Sequence, residues 1–229
     1  MGAAPNAGAR SAGGAMPPAV TPPVWDPLVR LSHWFVAAAV LANGLFNKPG
    51  AAWHVALGWA VLAVVLVRLV WGFVGPAMAR FSAFPPAPLR ALSHLGDLLR
   101  RQPPREYPSH NPAGAMMVCT LWALVLTVTL TGLVMTGGRS PMTIAADQAA
   151  VNSGDWSALV QDASEADDAD VAGGGKIVAE IHETAANLML ILAALHVAGV
   201  VVESRALGRN LVRPMLGRGG RQGAGRGGA

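Results

Sequence analysis

The chain is poor in charge and nearly free of cysteine. Only 13% of its 229 residues are charged, against about 25% in a soluble globule. So few ionisable groups argue against an ordinary cytosolic enzyme of this size. Disorder is excluded by the converse feature, a hydrophobic share of 52%. The lone cysteine, Cys119, rules out a disulfide framework, a thiolate zinc site and a CxxCH covalent haem attachment. Residues 1–23 are mostly Ala, Gly and Pro, with Arg10 as the one charge, and lack the compact apolar core of a secretory signal. They read as a disordered cytoplasmic tail, an expectation reinforced by Pro17, Pro18, Pro22 and Pro23.

What the chain does have is long apolar runs. The mean hydropathy is +0.41, and a membrane span takes about 20 mostly apolar residues. Asp26-Pro27 offers an N-cap followed by a first-turn proline, predicting a helix over 27–46. Its uncharged stretch from Leu31 to Asn47 is only 17 residues and includes His33. A second span is expected over 51–74, with His54 early and Arg68 late. The third, over 113–136, is the clearest: Ala113 to Gly138 gives 26 residues without a charge, behind the cap Asn111-Pro112. The fourth is expected over 179–202, with 19 uncharged residues from Thr184 to Val202, His182 just before them and His196 inside. The predicted fold is all-α: an integral membrane four-helix transmembrane bundle in a domain over 24–215.

Loop charges set the expected orientation. Arg80, Arg90, Arg100, Arg101 and Arg105 lie between spans two and three, and Arg205, Arg209, Arg213, Arg218, Arg221 and Arg226 follow span four. The segment 139–176 carries instead Asp147, Asp155, Asp162, Glu165, Asp167, Asp168 and Asp170. The positive-inside rule then places both termini in the cytoplasm and the acidic loop outside. The pI of 10.2 is therefore read as a signature of topology and anionic lipid, not of nucleic acid, and the Gly/Arg-rich tail 216–229 in the same way. Leu89, Leu92, Leu95, Leu98 and Leu99 recur at helical spacing among arginines. They predict a short amphipathic helix on the cytoplasmic membrane surface, or a soluble cap over the bundle.

Histidines inside spans ask for a functional explanation. His182 and His196 are 14 residues apart, which at about 100° per residue puts both on one helix face and about 21 Å apart along it. They cannot share a metal, so each needs a partner. The expected topology supplies one at each depth: His33 enters from the cytoplasmic side beside His196, and His54 enters from outside beside His182. Two histidines from different helices suit the axial positions of a low-spin b-type haem. Arg30 lies three residues before His33, and Arg68 shares His54's face at the depth of the other pair; both are expected near haem propionates. Gly58, Gly132 and Gly199 are places where a flat ring could approach the backbone. Interhelical hydrogen bonding, a zinc or copper transport site helped by Glu180 and Glu183, and a proton relay are the competing explanations. His94 and His110 read as surface residues of the cytoplasmic loop.

Several stretches resemble one family. Trp25-Asp26-Pro27-Leu28-Val29-Arg30-Leu31-Ser32-His33-Trp34 is similar to the opening of the bacterial cytochrome b561 family, which includes nickel-iron hydrogenase cytochrome b subunits. His54 with Gly58-Trp59, Arg68 and Trp71-Gly72 resembles its second helix. His182-Glu183-Thr184, Asn187-Leu188 and Leu195-His196 resemble its last, and His110-Asn111-Pro112-Ala113-Gly114 fits a subgroup. The resemblance covers about 24–215. It implies two non-covalent haem b groups on His33, His54, His182 and His196, and electron transfer between the quinone pool and a redox partner in the bacterial inner membrane. A c-type cytochrome or another redox subunit is a conceivable partner for the acidic loop, and a hydrophilic spacer is the alternative reading of that loop. The chain is then an electron-transfer protein and not a stand-alone catalyst. The alternatives are the haem-bearing anchor subunit of a hydrogenase or dehydrogenase, and a transition-metal transporter.

Overall fold

A computed structural model describes residues 25–100, 102, 107, 110–155 and 174–217. The tail 1–23, the acidic run Asp162 to Asp170 and residues 218–229 lie outside the described residues. Six α-helices are described: α1 Pro27–Leu45, α2 Ala52–Val74, α3 Pro88–Leu99, α4 Pro112–Met135, α5 Pro141–Asn152 and α6 Gly174–Ala206. No strand occurs among the described residues. Four helices, α1, α2, α4 and α6, are long and apolar enough to cross a membrane.

Three helices begin with the same device, a capping side chain followed by proline. The Asp26 carboxylate accepts from the backbone N–H of Leu28 at 2.9 Å and Val29 at 3.2 Å. Asn111 Oδ1 accepts from Gly114 N–H at 2.6 Å, and Ser140 Oγ accepts from Thr143 N–H at 3.2 Å. In each, proline occupies a first-turn position whose N–H would have no intrahelical partner. Asp26 has a second role. Its carboxylate also accepts from Trp71 Nε1 at 3.1 Å, tying the end of α2 to the start of α1. Around the opposite turn, Asn43 Nδ2 donates to the His54 carbonyl at 3.0 Å, and Gly50 takes a φ of 73° that favours glycine.

The four long helices form a ring in which α1 packs on α2, α2 on α4, α4 on α6 and α6 on α1. The buried core is Ala39, Val61 and Val65, packed by Val36, Leu57, Leu69, Trp122, Val125 and Leu126. Most other large apolar side chains point outward, Leu31 and Phe73 both 72% exposed among them. In water this surface would be unstable; in lipid it is the solvated face. The hydroxyls of α4 suit the same medium. Thr120, Thr127, Thr129, Thr131 and Thr136 each donate to a carbonyl one turn back, so no hydroxyl proton is left facing hydrocarbon.

Three features differ from the sequence reading. α6 is longer than expected, 33 residues or about 50 Å, against a hydrocarbon layer of about 30 Å. No proline interrupts it, so the helix continues through Lys176 and Glu180 at one end and Glu203 and Arg205 at the other. The segment 139–176 is not simply a loop: α5 lies within it and packs against α2, with Arg139 pairing with Asp147. Finally, His94 is no surface residue. It lies on α3, only 6% exposed, while Leu89, Leu92 and Leu95 point outward. α3 packs against α4 through the opposite face.

Candidate functional site

The ring of helices brings the four span histidines together as two pairs. His33 on α1 and His196 on α6 have ring centroids 6.3 Å apart, with the planes at 66°. His54 on α2 and His182 on α6 have centroids 6.2 Å apart, with the planes at 57°. The 14-residue interval on α6 holds the pairs about 21 Å apart along the helix, and the Ala39–Val61–Val65 core fills the level between them.

Ring spacing tests what such a pair can hold. A metal between two imidazoles sits about 2 Å from one nitrogen of each, and each ring centre lies about 1.1 Å behind its nitrogen, so centroids about 6.2 Å apart are required. Both pairs meet that spacing. Among the described residues, no three of His, Cys, Asp and Glu gather as a closed zinc or copper site would need. Two protein ligands are enough when the remaining four come from a porphyrin.

The surroundings of the two pairs differ. In the first, His33 is packed edge-on by Trp34, centroids 5.3 Å apart. At the same end, Arg68 is 7% exposed. Its Nη2 donates to the Ala79 carbonyl at 3.0 Å, and the guanidinium lies 5.6 Å from the Phe81 ring and 6.0 Å from the Trp122 ring. Its Nη1 is buried with no hydrogen-bond partner, so an anionic acceptor such as a propionate would complete its bonding. Arg30, the other arginine expected there, lies against Gly217 of the C-terminal segment. That segment also accepts from Trp34 Nε1 at 3.1 Å through the Met215 carbonyl.

At the second pair, His182 Nδ1 lies 2.9 Å from Thr131 Oγ1 of α4. His54 Nδ1 is buried without a partner. Of the three glycines expected near a flat ring, Gly132 faces His182, where an added Cβ would lie 3.3 Å from Cε1. Gly58 and Gly199 have nothing within 4 Å of such a carbon.

Sequence reasoning missed three side chains at the Arg68 end. His110, expected at the surface, lies between Trp25 and Phe84, 5.0 Å from each ring. Burial, then the nearby charges of His196 and Arg68, lower its pKa to about 4, so it is neutral at physiological pH. His94 Nε2 lies 3.4 Å from Glu203 Oε2, in ion-pair range but without hydrogen-bond alignment. Both residues are 6% exposed, so α3 meets the end of α6 through a buried polar contact. Spacing gave no signal for these, because each is made by chain-distant partners.

A sequence model of the prokaryotic cytochrome b561 family matches residues 24–218. The chain belongs to the prokaryotic cytochrome b561 family. No curated protein and no solved structure matches it at a significant level. As a member of the cytochrome b561 family it is a multi-pass membrane protein that binds b-type haem and works in electron transfer.

Proposed function

We propose that this protein carries electrons between the two faces of the bacterial inner membrane through two non-covalent haem b groups, exchanging them with the quinone pool and a redox protein. His33 and His196 would hold the haem on the cytoplasmic side, and His54 and His182 the outer one. The observation that carries this reading is the recurrence of one imidazole spacing, 6.3 and 6.2 Å, at two levels of a single helix. The two-ligand sites and the family together favour a cytochrome over a metal transporter.

When bound, haem iron supplies one-electron chemistry between its ferric and ferrous states. The chain's own residues do the rest. The four imidazoles fix position and level on helices stiffened by their neighbours. Val61, Val65 and their apolar shell keep water from the level between the pairs. Arg68 Nη1 offers a buried donor and positive charge to a propionate. The bundle moves no proton in this scheme; quinone protons would be exchanged at its surface. The positive-inside pattern supports cytoplasmic termini, and a reporter fused after Ala229 should be active only as a cytoplasmic protein. Exposed segments such as α5 give a redox partner somewhere to sit. If that partner co-purifies as a hydrogenase or dehydrogenase, the protein is an anchor subunit with the same haems.

The deciding experiment is a pyridine haemochrome assay on the purified, detergent-solubilised full chain. Two haems b per chain are expected. One haem per chain, or none, defeats the two-site reading.

A further inference from the structure

We infer that Thr131 is a positioning residue for the outer haem site, fixing which nitrogen of His182 faces the iron and how strongly it donates. This inference rests on the reading of His182 as a ligand. Thr131 Oγ1 lies 2.7 Å from the Thr127 carbonyl and 3.2 Å from the Val128 carbonyl. Carbonyls only accept, and the hydroxyl has one proton, so that proton is committed to the helix backbone. The remaining capacity of Oγ1 is as an acceptor. Its 2.9 Å contact with His182 Nδ1 is therefore Nδ1–H donating to Oγ1. A neutral imidazole has one N–H, so the lone pair lies on Nε2, and Nε2 is the nitrogen left for a metal.

The same bond sets donor strength. An acceptor on the far N–H raises the basicity of a metal-bound imidazole and holds its ring in one orientation. A more basic ligand favours the ferric, more positive iron and so lowers the midpoint potential. Neighbouring Gly132 lets the contact form, since a Cβ there would press on the ring at 3.3 Å from Cε1. Thr129, two residues earlier, makes the same kind of backbone bond, to the Val125 carbonyl at 2.8 Å. His54 Nδ1, across the site, has no hydrogen-bond partner. Thr131 thus makes the two ligands of one site unequal.

The test is a redox titration of the full-length holoprotein with Thr131→Val, Thr131→Ser and Thr129→Val, read with low-temperature EPR of the oxidised state. Thr131→Val should raise the midpoint of one haem by roughly a tenfold change in its one-electron equilibrium, about 59 mV. The affected haem should be the one lost in His182→Ala, and its low-spin EPR signal should move. Thr131→Ser should restore both readings, and Thr129→Val should match wild type. If Thr131→Val fails to accumulate, Thr131→Ala reads the same shift. Loss of the outer haem in Thr131→Val with retention in Thr131→Ser supports the inference by a stronger route. Wild-type titration and EPR in Thr131→Val overturn it, as does a shift confined to the other haem. The underlying ligand reading fails separately, if His182→Ala keeps two normal haems.

Discussion

The two histidine pairs have nearly the same ring spacing and very different surroundings. The His33–His196 end is crowded with aromatic rings and one buried cation: Trp34 beside His33, and Arg68 among Phe81 and Trp122. A third imidazole, His110, stands there as a neutral group between two more rings. At the His54–His182 end the polar neighbours are the hydroxyl of Thr131, at the His182 ring, and the amide of Asn43, at the His54 carbonyl. If each pair holds a haem, as proposed, like ligands in unlike fields would give the two sites different electron affinities. A cation near one iron would favour its reduced form, and a hydrogen-bonded imidazole at the other would favour the oxidised form. Both effects would raise the first site's potential relative to the second.

The most drastic way to break this comparison is to remove ligands. His33→Ala and His196→Ala should each lose or convert one haem and give matching spectra. His54→Ala and His182→Ala should give a second matching set with a different midpoint. In every case the other haem keeps both its ligands and should change far less. A match between His33→Ala and His54→Ala would show that the pairs are wrongly assigned.

A smaller effect is expected at Arg68. Arg68→Leu removes the buried charge while filling much of the space, and should lower the midpoint of the His33–His196 haem by up to about tenfold in its equilibrium, about 59 mV. The other haem should stay within error. An upward shift would mean that desolvation and not charge dominates at that guanidinium.

The third effect is on acid stability. His110 has a folded pKa of about 4 against about 6.5 in an unfolded chain. Between those values the unfolded chain binds a proton that the folded protein does not, so stability falls as pH drops through that window. Below about 4 both states are protonated and this contribution changes no further. His110→Gln cannot bind that proton. Its melting temperature in detergent should therefore fall less than that of wild type between pH 6.5 and 4.5. Parallel slopes for the two proteins would remove His110 from the account.

The spans and pairs were readable because two periodicities act together. Helical phase puts His182 and His196 on one face, and membrane depth assigns each a partner. α5 was readable in principle, since Ser140-Pro141 repeats the signal of Asp26-Pro27 and Asn111-Pro112. The acidic composition that follows points to a loop instead. His94 was misread for a different reason. On α3 the leucine spacing predicts an apolar face for the membrane surface, and Leu89, Leu92 and Leu95 do point outward; the spacing says nothing of the side between them, where His94 is buried. Thr131 lies beyond any one-dimensional signal, because its meaning depends on a residue 51 positions away; His110 belongs to a stretch that resembles a subgroup of the family, but its burial depends on Trp25 and Phe84, which only packing brings near.

The finest test of the contrast between the sites is Gly132→Ala. Within a helix, alanine is favoured over glycine by about 1 kcal/mol. Here the added Cβ would lie 3.7 Å from His182 Nδ1, an ordinary contact, but 3.3 Å from Cε1, closer than an ordinary contact, so the ring must yield by a few tenths of an ångström. The two effects oppose each other, and global stability should change by less than about 1 kcal/mol. The ring movement is directional, though, and should alter the EPR signal of the His54–His182 haem alone. Gly96→Ala on α3, where nothing lies within 4 Å of the added carbon, should show the propensity gain without any spectral change. A Gly132→Ala signal that moved at the His33–His196 haem instead would put α4 against the other site, and the distinction between an inner field of charge and an outer field of hydrogen bonds would fail with it.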